Sequence, residues 1–126
     1  MFKIEKEVPG LELCKKLKEL GYPQDGGGFY WMKLEDYKLK RDVWKLLPQE
    51  DTPKRFFVKD WVKAPTCQEL GKYLKRARYF YDGEQWRVYH PRADYNIYDK
   101  LESNARAEML IMLIKNGHIK LNKKEV

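Results

Sequence analysis

Residues 99–117 read DKLESNARAEMLIMLIKNG, and the rest of the chain has to be arranged around this stretch. Asp99 followed three positions later by Glu102 has the spacing of a capping box, the residues between are good helix formers, and Gly117 stands where a left-handed residue closes a helix. The spacing therefore predicts one helix through the stretch. Its last turns, MLIMLI at 109–114, hold no polar side chain. A helix with one wet face interrupts such a run at helical spacing, so these turns must be covered on most sides, as a core helix is. The run is well short of the roughly 20 apolar residues that span a bilayer.

Immediately before it, ARYFYDGEQWRVYHP at 77–91 carries a hairpin signal, since Asp82-Gly83 is the pair a two-residue type I′ turn prefers. That turn would pair Tyr81 with Glu84, Tyr79 with Trp86 and Ala77 with Val88 on a core face. It would pair Phe80 with Gln85, Arg78 with Arg87 and Arg76 with Tyr89 on the opposite face. The second face then gathers Arg76, Arg78 and Arg87 around Phe80 and Tyr89, with Lys72 and Lys75 arriving from the preceding helix. Between Lys72 and Arg92 stand six basic residues and two acidic ones, Asp82 and Glu84. The segment HPRADYNIYD at 90–99 reads as a polar loop leading to the helix cap.

Working further back, Thr66 and Glu69 form a second capping box, predicting a helix from about Cys67 to Leu74 with Leu70, Tyr73 and Leu74 inward. LELCKKLKEL at 11–20 places Leu13, Cys14, Leu17 and Leu20 on one helical stripe, and Gly21 ends it. The glycines 26–28 precede the aromatic run Phe29, Tyr30, Trp31, which favours a strand. A phosphate loop needs a strand before its glycines and a helix after them, the reverse of the order here, so the glycines read as a connector. Strands near 29–34 and 42–47 form a hairpin. Phe56, Phe57, Trp61 and Val62 are too apolar to be left together in water and are expected to fold back onto the core. The order is helix, two strands, loop, helix, two strands, helix, with 119–121 as a possible last strand. It predicts a single α+β domain: a small antiparallel sheet built from two hairpins, about three helices, and a weak α-β-β repeat.

LKELGYPQ followed by FYW, then APTCQELGKYL, and finally NARAEMLIMLIKNG resemble a set of small proteins encoded in phages and prophages. The pattern covers most of the chain and departs from it over 33–63. The resemblance implies a phage-derived protein of the host cytoplasm and supplies no catalytic residues. It implies either a module that binds nucleic acid in replication or regulation, or one that binds a host or phage protein.

With 126 residues, a formal charge of +7, 36% charged and 14% aromatic residues, the chain suits one folded domain and an anionic partner. The two cysteines, Cys14 and Cys67, are too few for a disulfide scaffold and lack the close Cys or His neighbours of a zinc site. Cys14 lies on the apolar stripe. Cys67 stands at a helix start, where a thiol pKa can fall, but nothing in the spacing brings His90 or His118 to it as a base. His90, Asp94 and Asp99 are close in sequence and read as part of the polar loop. No nucleophile elbow, Walker pattern or zincin motif appears, so no catalytic residue, cofactor or metal is called. The N-terminus has no secretory pattern and no segment is of membrane length, which makes the cytoplasm the default compartment. The candidate site is a single-stranded nucleic-acid face made of Lys72, Lys75, Arg76, Arg78, Phe80, Arg87 and Tyr89, where bases stack on rings and guanidinium planes. The alternative, a protein-protein module, stays open.

Overall fold

The computed structural model describes residues 4–36, 38–48 and 56–121, without the side chains of Glu5, Phe56 and Phe57. In chain order the elements are α1 (Ile4–Glu7), α2 (Leu11–Glu19), β1 (Phe29–Asp36), β2 (Arg41–Pro48), β3 (Phe56–Lys63), α3 (Cys67–Gly71), β4 (Arg78–Tyr81), β5 (Trp86–His90), β6 (Tyr95–Asp99) and α4 (Glu102–Lys115). The α+β class stands, with the C-terminal helix at its centre. The strands divide into two separate antiparallel sheets, ordered β2-β1-β3 and β4-β5-β6, in place of the single sheet expected from two hairpins.

Helix α4 is covered on most sides, as its apolar run requires. Met109, Leu110 and Leu113 are fully buried, and the helix touches β5 and β6 on one side and α1, α2 and α3 on others. Its polar residues organise the neighbours. Ser103 Oγ, fully buried, donates to the carbonyls of Lys6 and Val8, and Asn104 Oδ1 accepts the Gly10 N–H at 2.9 Å. Gly10 is the N-cap of α2 and has no side chain to accept from the first N–H groups of the helix; the Asn104 bond holds Gly10's own N–H and ties the start of α2 to α4. The helix closes in a Schellman motif: Gly117 takes φ +79°, its N–H donates to Ile114, and the His118 N–H donates to Leu113. The expected capping box at its start does not form. Asp99 is the last residue of β6 and accepts from the Leu101 N–H, while Glu102 pairs with Arg106 one turn on. Strand pairing has taken the residue that the sequence offered as a cap.

Helix α2 divides its stripe between two cores. Leu17 joins the cluster around α4, whereas Cys14 packs with Val8, Val62 and Ala64 beneath sheet β2-β1-β3. The box at Thr66 and Glu69 forms as predicted, although α3 ends at Gly71 and reaches the buried Leu74 through turns. Residues 56–63, expected as a loop or short strand, are the third strand of the first sheet, with Val62 buried and Trp61 53% exposed on the other face. Trp61 therefore does not fold back onto the core, and the side chains of Phe56 and Phe57 lie outside the described residues. Residues 119–121 form no strand. Each half is a helix followed by three strands, yet β1 is central in one sheet and β5 in the other, so the repeat does not extend to topology. Among the described residues no helix is long and apolar enough to cross a membrane.

Candidate nucleic-acid interface

The second sheet is a meander whose inner face, Tyr79, Trp86, Val88, Tyr95 and Ile97, packs on the α4 core. Alternation along the strands sends Arg78, Phe80, Arg87, Tyr89, Asn96 and Tyr98 to the outer face. Two cross-strand rows result, Phe80–Arg87–Tyr98 and Arg78–Tyr89–Asn96. The register differs from the one expected. Arg78 pairs with Tyr89, Phe80 with Arg87 and Tyr81 with Trp86, because Asp82 does not serve in a two-residue turn. Its Oδ1 accepts the N–H groups of Glu84 and Gln85, both at 2.9 Å, which opens a four-residue loop. Those same bonds hold the Asp82 carboxyl below its usual range. The slip is two residues, an even number, so the faces keep their composition.

Four of the seven expected site residues, Arg78, Phe80, Arg87 and Tyr89, lie together on this face. Arg87 is its centre: its guanidinium stands 5.3 Å from the Phe80 ring centroid and 5.4 Å from that of Tyr89, and its Nε donates to Asn96 Oδ1 at 2.8 Å. Phe80 and Tyr98 are 47% and 52% exposed. Asn96 and Tyr98 were not among the expected residues because 90–99 reads as a polar loop. It is instead a four-residue turn and strand β6. The signal was present in YNIYD, whose Tyr95 and Ile97 alternate with Asn96 and Tyr98 at the strand period.

The other three, Lys72, Lys75 and Arg76, are not on the sheet face. Arg76 precedes β4, and with Lys72 and Lys75 it lines a cleft of about 320 Å³ completed by Tyr73, His90, Arg92, His118 and Ile119. A second groove, lined by Arg76, Arg78, Pro91 and Arg92, shares Arg76 and Arg92 with that cleft and carries it round the end of the sheet to Arg78. His90 Nδ1 accepts the Ala93 N–H at 3.2 Å, which leaves Nε2 as the protonated nitrogen of the neutral ring. Burial, then the positive charges of His118, Arg76 and Arg92, holds its pKa below the ordinary value.

The remaining chemistry-bearing groups have structural surroundings. Burial pushes the Cys14 thiol up to about 12. Cys67 is raised to about 11 by burial and by the Glu102 carboxylate, against the opposing pull of Arg106, so the start of α3 does not generate a thiolate near neutral pH. The glycines 26–28, all at positive φ, wrap the Lys63 ammonium, which donates to the carbonyls of Asp25 and Gly27 and pairs with Glu69 at 3.3 Å. The loop thus turns carbonyl oxygens toward a cation, the opposite polarity to a phosphate cradle. Among the described residues no group of three or more His, Cys, Asp or Glu could hold a metal ion. No known protein family, curated protein or solved structure matches the chain.

Proposed function

We propose that the protein binds single-stranded nucleic acid on the outer face of sheet β4-β5-β6. The observation that carries this reading is the Arg87 guanidinium fixed against Phe80 and Tyr89 beside the exposed rings of Phe80 and Tyr98. Of the large hydrophobic side chains exposed among the described residues, Phe80 and Tyr98 share this outer face. Unpaired bases stack on such rings whatever their sequence, and the arginines meet phosphates. A duplex hides its base faces, and a sheet face does not enter a major groove as a helix or ribbon does, so the strand should be single. The resemblance to small phage and prophage proteins fits a role in replication or regulation in the host cytoplasm and fits binding of a host or phage protein equally. A second reading, binding of a host or phage protein, is favoured by a groove of about 450 Å³ beside the exposed Trp61, lined also by Tyr30, Met32 and Val58.

Titration with short labelled oligonucleotides at two salt concentrations tests the first reading. Arg78→Ala with Arg87→Ala should weaken binding and flatten the salt dependence by about 1.4 units of slope, since each arginine neutralises one phosphate and single strands release about 0.7 counterion per phosphate. Phe80→Ala should cost roughly 1–3 kcal/mol with the slope unchanged, because stacking carries no net charge. If the parent protein shows no salt-sensitive binding to DNA or RNA, the nucleic-acid reading falls and the protein-partner reading takes its place.

A further inference from the structure

The cleft at the end of the sheet is chemically different from the stacking face. Lys72, Lys75, Arg76 and Arg92 converge there with His90 and His118, and no carboxylate lines it. None of the four cations makes an ion pair among the described residues, whereas Lys15, Lys18, Lys33 and Lys59 each have an acidic partner. Lys72 also borders the neighbouring pocket that holds Asp25 and Glu69, but Glu69 is engaged with Lys63. Like charges held together without a counter-charge repel, and an anion seated among them removes that repulsion.

We propose that this cleft binds a terminal phosphomonoester, the phosphorylated end of the strand whose bases stack on the adjoining face. The inference rests on the single-strand reading above. Continuity of the path supports it: from the Arg78–Tyr89–Asn96 row a groove lined by Arg78, Arg76 and Arg92 leads into the cleft, which shares Arg76 and Arg92 with it. The charge count selects a chain end over an internal linkage. A diester carries a single negative charge, whereas a monoester near neutral pH carries about 1.5 to 2 and offers three acceptor oxygens. Four cations and the Nε2–H of His90 are donors in number for the second and in excess for the first. The His90 ring lines the cleft, is anchored through Nδ1 by the Ala93 N–H and is 8% exposed, so it is held in one position there.

The experiment compares three labelled strands of one sequence, ending in a 5′-phosphate, a 3′-phosphate or hydroxyls at both ends, by fluorescence anisotropy with the intact protein. One phosphorylated strand should bind about tenfold or more tightly than the hydroxyl strand, the gain expected of one or two added charge-assisted bonds, and which one gives the strand polarity. Lys75→Ala with Arg92→Ala changes two exposed side chains and should bring that ratio close to one. Equal affinity for all three strands overturns the terminal-phosphate site and leaves the stacking face standing. A preference that survives the double variant also overturns it, by placing the end elsewhere. Failure of every strand to bind removes the underlying single-strand reading as well.

Discussion

Lys63→Ala is the most demanding test of how the first half of the chain is held together. The side chain is 3% exposed, and its ammonium donates to two carbonyls of the glycine loop and faces Glu69 at 3.3 Å. Breaking a buried ion pair by removing one partner costs about 3–5 kcal/mol, because the other charge is left uncompensated. Glu69 is 33% exposed and also accepts from the Thr66 N–H, so water and the helix cap take up part of that charge. The Asp25 and Gly27 carbonyls, left without their donor, cost about 1 kcal/mol or more each where water cannot reach them. The expected loss is about 3 kcal/mol, or about 10 °C in Tm for a domain of this size. Urea denaturation followed by circular dichroism measures it. Lys63→Met, which keeps most of the buried hydrocarbon stem, should lose less than Lys63→Ala. In a Glu69→Gln background the cost of Lys63→Ala should shrink, since the stranded charge is gone. A Lys63→Ala protein within about 0.5 kcal/mol of the parent would refute the account and return the glycines to the status of a plain connector.

Two further expectations concern α4. Leu110→Ala removes a fully buried side chain from the central cluster and should cost about 2–5 kcal/mol, and thermal melts indistinguishable from the parent's would show that α4 is not the core. Glu108 on the same helix is held above the ordinary carboxyl range by burial, and then by the charge of Asp99 and a hydrogen bond with it. Its ionised form is the disfavoured one in the fold, so ionisation costs stability above the raised pKa. That cost is absent at low pH, where the group is protonated whether folded or unfolded. Glu108→Gln should accordingly raise Tm at pH 7, with a gain that fades as the pH falls toward the ordinary value of 4.5. A gain of constant size across that range would contradict this sign.

Local patterns in the chain determined a good deal. The apolar run 109–114 required a covered helix, Gly21 and Gly117 closed helices as left-handed residues, and Thr66 with Glu69 capped α3, since each outcome depends on residues within a few positions of one another. Alternation at period two likewise placed Arg78, Phe80, Arg87 and Tyr89 on one face, and it survived a register slip because an even slip preserves the face. What the tertiary structure decided are the contacts whose partners are far apart in sequence. The bond from the Gly10 N–H to Asn104 joins residues 94 positions apart, and the glycine loop acquires its purpose from Lys63, 36 positions beyond Gly27. Asp99 could end a strand or cap a helix by its local pattern alone, and pairing of β6 with β5 settled it. That same pairing brought Asn96 and Tyr98 to the outer face beside Arg87, while the chain's path after α4 carried His118 to His90, Arg76 and Arg92. Local propensity acts over one turn or one pair of strands, whereas a site is assembled by packing, which brings residues together without regard to their distance along the chain.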